Sequence, residues 1–172
     1  MKGASNIFLV GPMGAGKTTI GRNLAQIVGK RFVDADREVE TRSGASISLI
    51  FELEGEAGFR RRERAVIEEL SGRQDLVLAT GGGAVLDPGS RALLRERGTV
   101  VYLHCPIEVL HRRTLRDRNR PLLQTDDPMA RLVQIVVERD PLYREVADLI
   151  VETDHRTVRS VVNELARRLT HP

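Results

Sequence analysis

Tryptophan is absent from these 172 residues, and four phenylalanines and two tyrosines supply all the aromatic surface. Base stacking, the usual means of holding single-stranded nucleic acid, has little to work with here. Cysteine occurs once, at Cys105, which excludes an internal disulfide and a cysteine-built zinc site. Packing at a strand end, in a reducing cytoplasm, is the expectation for it. No apolar run approaches the ~20 residues of a membrane span, and the first strand begins too early for a secretory signal to be expected. Lysine is nearly missing. Lys2, Lys17 and Lys30 stand among 27 basic residues, the rest being arginine, and the formal net charge is +3. Arginine's planar fork suits carboxylates and phosphates, so small anionic ligands fit this composition better than nucleic acid or a membrane surface. Nothing in the pattern announces an exposed apolar interface, so a monomer is expected.

What is present is an alternation of short apolar runs with helical periodicities, the mark of an α/β fold with a parallel sheet. The runs are 6–10, 31–34, 76–79, 99–104 and 148–152. Between them, Val66, Ile67 and Leu70 mark one helix, Leu93 and Leu94 another, and Leu132, Ile135 and Val136 a third. Val158, Val161, Val162, Leu165 and Leu169 mark the last. Gly29, Gly72, Gly98 and Pro141 are the expected stops. One domain over 1–172 follows, with a helical insertion over about 35–64 and a polar, arginine-rich lid over about 114–127.

The first run leads into Gly11-Pro12-Met13-Gly14-Ala15-Gly16-Lys17-Thr18, which fits the phosphate-loop pattern G-x-x-x-x-G-K-[ST] between a strand and a helix. Backbone N–H groups of such a loop converge on one anion, aided by the following helix dipole. Gly14, Ala15, Gly16, Lys17, Thr18 and Thr19 are thus candidate triphosphate contacts, with Lys17 on the β- and γ-phosphates and the Thr18 hydroxyl on Mg²⁺. No Asn-Lys-x-Asp guanine-reading segment occurs, which favours ATP.

Ligands of such sheets bind beyond the carboxyl ends of the strands. There the second run ends in Asp34-Ala35-Asp36 and the third in Thr80-Gly81-Gly82-Gly83. The carboxylates could serve magnesium and a substrate hydroxyl, or form a solvated turn with Asp36 as helix cap. The glycines admit either close backbone approach to a ligand or a plain flexible turn. Arg60, Arg61 and Arg62 read as the opening of a helix, with a solvated face the ordinary alternative. Arg116, Arg118 and Arg120 in the lid could neutralise phosphate oxygens. The four histidines show no metal-ligand spacing.

Together with Gly58-Phe59-Arg60, Arg120-Pro121-Leu122-Leu123 and Glu138-Arg139-Asp140-Pro141-Leu142-Tyr143, these segments resemble, in order and spacing, those of the shikimate kinases. The resemblance spans essentially the whole chain. It implies a three-layer α/β/α fold like that of nucleoside monophosphate kinases, with a five-stranded parallel sheet in order 2-3-1-4-5. It implies transfer of the ATP γ-phosphate to the 3-hydroxyl of shikimate, in aromatic amino-acid biosynthesis. Lys17, Asp36 and Arg120 would be catalytic, and Asp34 would support Mg²⁺ through water. Asp36, Arg60, Gly81, Gly82 and Arg139 would bind shikimate, while Arg113, Arg120 and Arg156 would join the loop on ATP. A related kinase for another hydroxy acid, such as gluconate, is the alternative.

Overall fold

The computed structural model describes residues 5–115 and 120–170, so Arg116 and Arg118 lie outside the described residues. Five parallel strands, β1 (Ile7–Val10), β2 (Arg31–Asp34), β3 (Leu76–Ala79), β4 (Thr99–His104) and β5 (Leu149–Glu152), form one sheet in order β2-β3-β1-β4-β5. Each falls within one residue of its apolar run. In the register, Ile7 lies beside both Val77 and Thr99, which makes β1 the central strand.

Alternation along the strands feeds two cores. Ile7, Leu9, Val77, Val101 and Leu103 face one way, onto α1 (Lys17–Val28), α5 (Ile107–Thr114) and α7 (Val158–Thr170). Phe8, Val10, Leu76, Leu78, Val100 and Tyr102 face the other, onto α2 (Ala35–Ser43), α3 (Ile47–Ser71) and α4 (Pro88–Arg97). The three-layer arrangement therefore follows from period-two burial on both sheet faces. Cys105 is buried just past β4, where burial pushes its thiol up. Among the described residues no helix is long and apolar enough to cross a membrane.

Three expectations need correction. The helix holding Arg60–Arg62 begins much earlier, at Ile47, with Ser46 capping Leu49 N–H, and is kinked at Gly55 (φ 72°, ψ 178°). Pro141 does not end its helix: α6 runs Pro128–Val146 straight through it. Burial wins over the missing N–H, because Leu132 and Ile135 belong to one core while Tyr143 and Val146 belong to the other. This helix therefore bridges both layers, with Arg139 between its two anchored halves. Lastly, the chain turns helical at Ala35, so Asp34 rather than Asp36 is the cap, its Oδ1 accepting from Arg37 N–H at 3.2 Å.

Candidate active site

The loop between β1 and α1 holds Gly11, Gly14 and Gly16 at φ 148°, 83° and 95°, values that side-chain-bearing residues rarely adopt. Lys17, the first residue of α1, folds back over this loop and donates to the Gly11 and Pro12 carbonyls at 2.6 and 2.9 Å. Burial lowers the Lys17 pKa to about 8, and Arg120 adds to the push, while Asp36 and Asp34 oppose it. Beside it the Thr18 hydroxyl donates to Asp34 Oδ2 at 2.6 Å. Asp36, one position into α2, has its carboxyl pushed up by burial and then by Asp34, against the pull of Lys17, Arg120 and Arg60. These groups line a cavity of about 280 Å³.

A smaller cavity of about 60 Å³ opens from it, bounded by Asp36, Phe59, Arg60, Glu63, Gly82 and Arg139. Arg60 reaches it from the middle of α3 and Arg139 from the middle of α6. The guanidinium of Arg60 donates to Glu63 Oε1 at 2.9 Å and to Glu56 Oε1 at 3.3 Å. Glu63 is 4 % exposed, and burial pushes its carboxyl up, with Asp36 adding and Arg60 opposing. Among the described residues Glu63 Oε2, Arg60 Nε and Arg139 Nε are buried without a hydrogen-bond partner. Such groups cost roughly 1–3 kcal/mol each, more when charged, so three in one small cavity make it a candidate site for a polar ligand.

The glycine run forms one wall of this cavity. A methyl at Gly81 would stand 2.6 Å from Asp36 Oδ1 and 2.7 Å from Glu63 Oε2, and one at Gly83 would collide with the Arg60 guanidinium. Close approach of side chains, rather than flexibility, is what excludes Cβ there.

On the far side of the loop lies a cleft of about 290 Å³ between Ala15, Gly16, Thr19, Arg113, Arg156 and Thr157. Arg113 donates to the Gly14 carbonyl at 2.9 Å, and Arg156 is held by Glu164 at 2.9 Å and by the Glu152 carbonyl at 3.2 Å. The structure thus brings Arg113 and Arg156 to one cleft, and Lys17, Thr18, Asp34, Asp36 and Arg120 to one cavity. Arg60, Gly81, Gly82 and Arg139 meet next door. Glu63 was not singled out in the sequence, although its i,i+3 spacing from Arg60 was visible there.

The family model "SKI: Shikimate kinase" matches residues 13–170. The chain belongs to the shikimate kinase family. A shikimate kinase from Halorhodospira halophila is 59 % identical over 165 residues, covering 96 % of this chain and 93 % of that relative. One from Nitrosococcus oceani is also 59 % identical, over 95 % of this chain and 86 % of its own length. Among solved structures, "Shikimate kinase from Acinetobacter baumannii in complex with shikimate" superposes with TM-score 0.95 at 50 % identity, covering 98 % of this chain and 94 % of that one. Shikimate kinases are ATP-using phosphotransferases, and the nucleotide loop and five-stranded sheet of this chain accord with that membership.

Proposed function

We propose that this protein transfers the γ-phosphoryl group of ATP to the 3-hydroxyl of shikimate, releasing ADP and shikimate 3-phosphate. The observation that carries the reading is the pair of guanidiniums of half-buried Arg60 and buried Arg139, each with a buried Nε unmatched among the described residues, beside the Asp36 carboxylate. A ring carboxylate satisfies arginine forks, and ring hydroxyls satisfy a carboxylate acceptor. The backbone of Gly81 and Gly82 completes the acceptor pocket.

The triphosphate lies along Gly14–Thr19, with adenine in the cleft between Arg113 and Arg156. Lys17 leaves the loop carbonyls for the β- and γ-phosphate oxygens, and Arg120 joins it from the lid side. The Thr18 hydroxyl and the Asp34 carboxylate, hard oxygens 2.6 Å apart, fit Mg²⁺, Thr18 directly and Asp34 through water. Held by these two residues, Mg²⁺ would supply charge neutralisation for the phosphates. Asp36 orients the 3-hydroxyl and accepts its proton as the new O–P bond forms. The bond from Pγ to the β–γ bridging oxygen breaks, and ADP leaves. The raised Asp36 pKa supports this role, because a base closer to neutrality is better matched to its task. Positioning and charge neutralisation supply most of the rate.

The same reading has the protein working in the cytoplasm as a monomer on small molecules, without nucleic acid or membrane partners; a free, buried Cys105 and a net charge of +3 agree with it. Coupled ADP release tests the activity. Turnover is expected with ATP, Mg²⁺ and shikimate and not with gluconate; absence of shikimate-dependent turnover refutes it.

A further inference from the structure

Tyr143 is fully buried, yet its hydroxyl donates to the Gly82 carbonyl at 2.6 Å, far away in sequence and at the centre of the glycine wall. It stands one helical turn after Arg139, so the two project from the same face of α6. Gly82 lies against both: a methyl there would be 3.6 Å from Arg139 Nη1. The Tyr143 ring is seated on Tyr102 of β4 at a centroid distance of 5.0 Å. Tyr102 in turn donates to Asp140 Oδ1 at 2.7 Å, and Arg144 holds the other Asp140 oxygen at 2.8 Å. These contacts fix the rotation of α6 about its axis just where Pro141 removes one backbone bond.

We propose that Tyr143 is a positioning residue of the acceptor pocket: its hydroxyl ties the Gly81–Gly83 wall to α6, and thereby sets the distance between that wall and Arg139. The inference rests on the pocket's assignment to shikimate under Proposed function. Charged side chains that bound the acceptor pocket lie against this wall: Asp36 and Glu63 at Gly81, Arg139 at Gly82 and Arg60 at Gly83. The nucleotide loop meets it through backbone at Gly82, where the Met13 nitrogen and the Gly11 carbonyl oxygen would stand 3.4 and 3.7 Å from a methyl. A shift of the wall therefore acts on the acceptor before the donor.

Steady-state kinetics of the wild type, Tyr143→Phe and Tyr102→Phe decide the matter, with shikimate and ATP varied separately. Wild-type turnover of shikimate is measured first, so that failure of the substrate assignment is seen independently of the variants. Tyr143→Phe keeps the ring and loses only the hydroxyl. It is expected to raise the shikimate KM about tenfold and leave the ATP KM within about twofold. Tyr102→Phe loses the Asp140 contact but keeps the bond to Gly82, and its shikimate KM is expected within about twofold of wild type. The proposal is overturned by an unchanged shikimate KM in Tyr143→Phe, by a parallel rise in both KM values, or by equal effects of the two variants, which would mean general packing of α6. Recovery of Tyr143→Phe only as unfolded protein would likewise reduce the residue to a structural role.

Discussion

The two ends of the sheet treat buried polar groups in opposite ways. At the amino end, Asn6 is 3 % exposed and fully engaged, its amide donating to the Ser71 and Arg73 carbonyls and its Oδ1 accepting from Leu76 N–H at 3.1 Å. At the carboxyl end, Glu63, Arg60 and Arg139 each bury a polar atom with no partner among the described residues, and Lys17 is held far from its ordinary pKa. Both ends take polar groups out of water, a neutral amide at one and ionisable side chains at the other. What differs is whether the fold itself completes the hydrogen bonds. Where it does, the group belongs to the architecture; where it does not, the proposed function makes the ligand the missing partner.

That contrast can be broken or sharpened by experiment. Lys17→Ala should reduce kcat by about 10³-fold. Its thermal stability at pH 7 should be unchanged or higher, because a charge that folding penalises has been removed; a variant with near-normal turnover would break the comparison at its strongest point. Arg60→Ala should raise the shikimate KM by about 10- to 100-fold and the ATP KM by less than about twofold, as initial-rate kinetics would show. Equal effects on both substrates would mean that the guanidinium is not part of the acceptor half.

A pH series reaches the same groups more gently. Lys17 must be charged to hold phosphate, and its folded pKa is lowered to about 8. Thus kcat/KM for ATP should fall roughly tenfold per unit as pH rises beyond that value. The limb in kcat should lie higher, since bound phosphates favour the ammonium. With Asp36 as the proposed base, the acid limb should stand above the ordinary carboxylate range, because its folded pKa is raised. The smallest effect on activity is expected from Asn6→Ala. It should lose about 2–3 kcal/mol of stability, seen as a Tm roughly 5–10 °C lower, with both KM values within about twofold. A changed KM would show that the amino end is not mere architecture.

Much of this was legible from residue patterns. All five strands could be read within one residue because parallel strands buried on both faces are continuous apolar runs, as in Phe8-Leu9-Val10. The nucleotide loop announces itself because glycine positions and a lysine are dictated locally. The rest depends on tertiary contacts. Pro141 reads as a stop, and only the burial of Tyr143 and Val146 beyond it carries α6 onward. Asp36 reads as extended, and only the cap by Asp34 turns it into a helix. Glu63 is invisible among the many charges of α3 until its surroundings are seen, because one buried glutamate and several solvated ones look alike in sequence.

The central position of β1 bears on how the chain comes to be. Its partners lie 70 and 92 residues downstream, as the alignment of Ile7 with Val77 and with Thr99 requires. At ribosomal speeds of about 5–20 residues per second, roughly 4–14 s pass before the first partner strand is synthesised. Throughout that interval the apolar segment Ile7–Val10, with both edges unpaired, has no lasting place to go. Of the five strands, the one that carries the nucleotide loop is thus made first and must wait for β4 before both its edges are paired, and an unpaired apolar edge is open to aggregation.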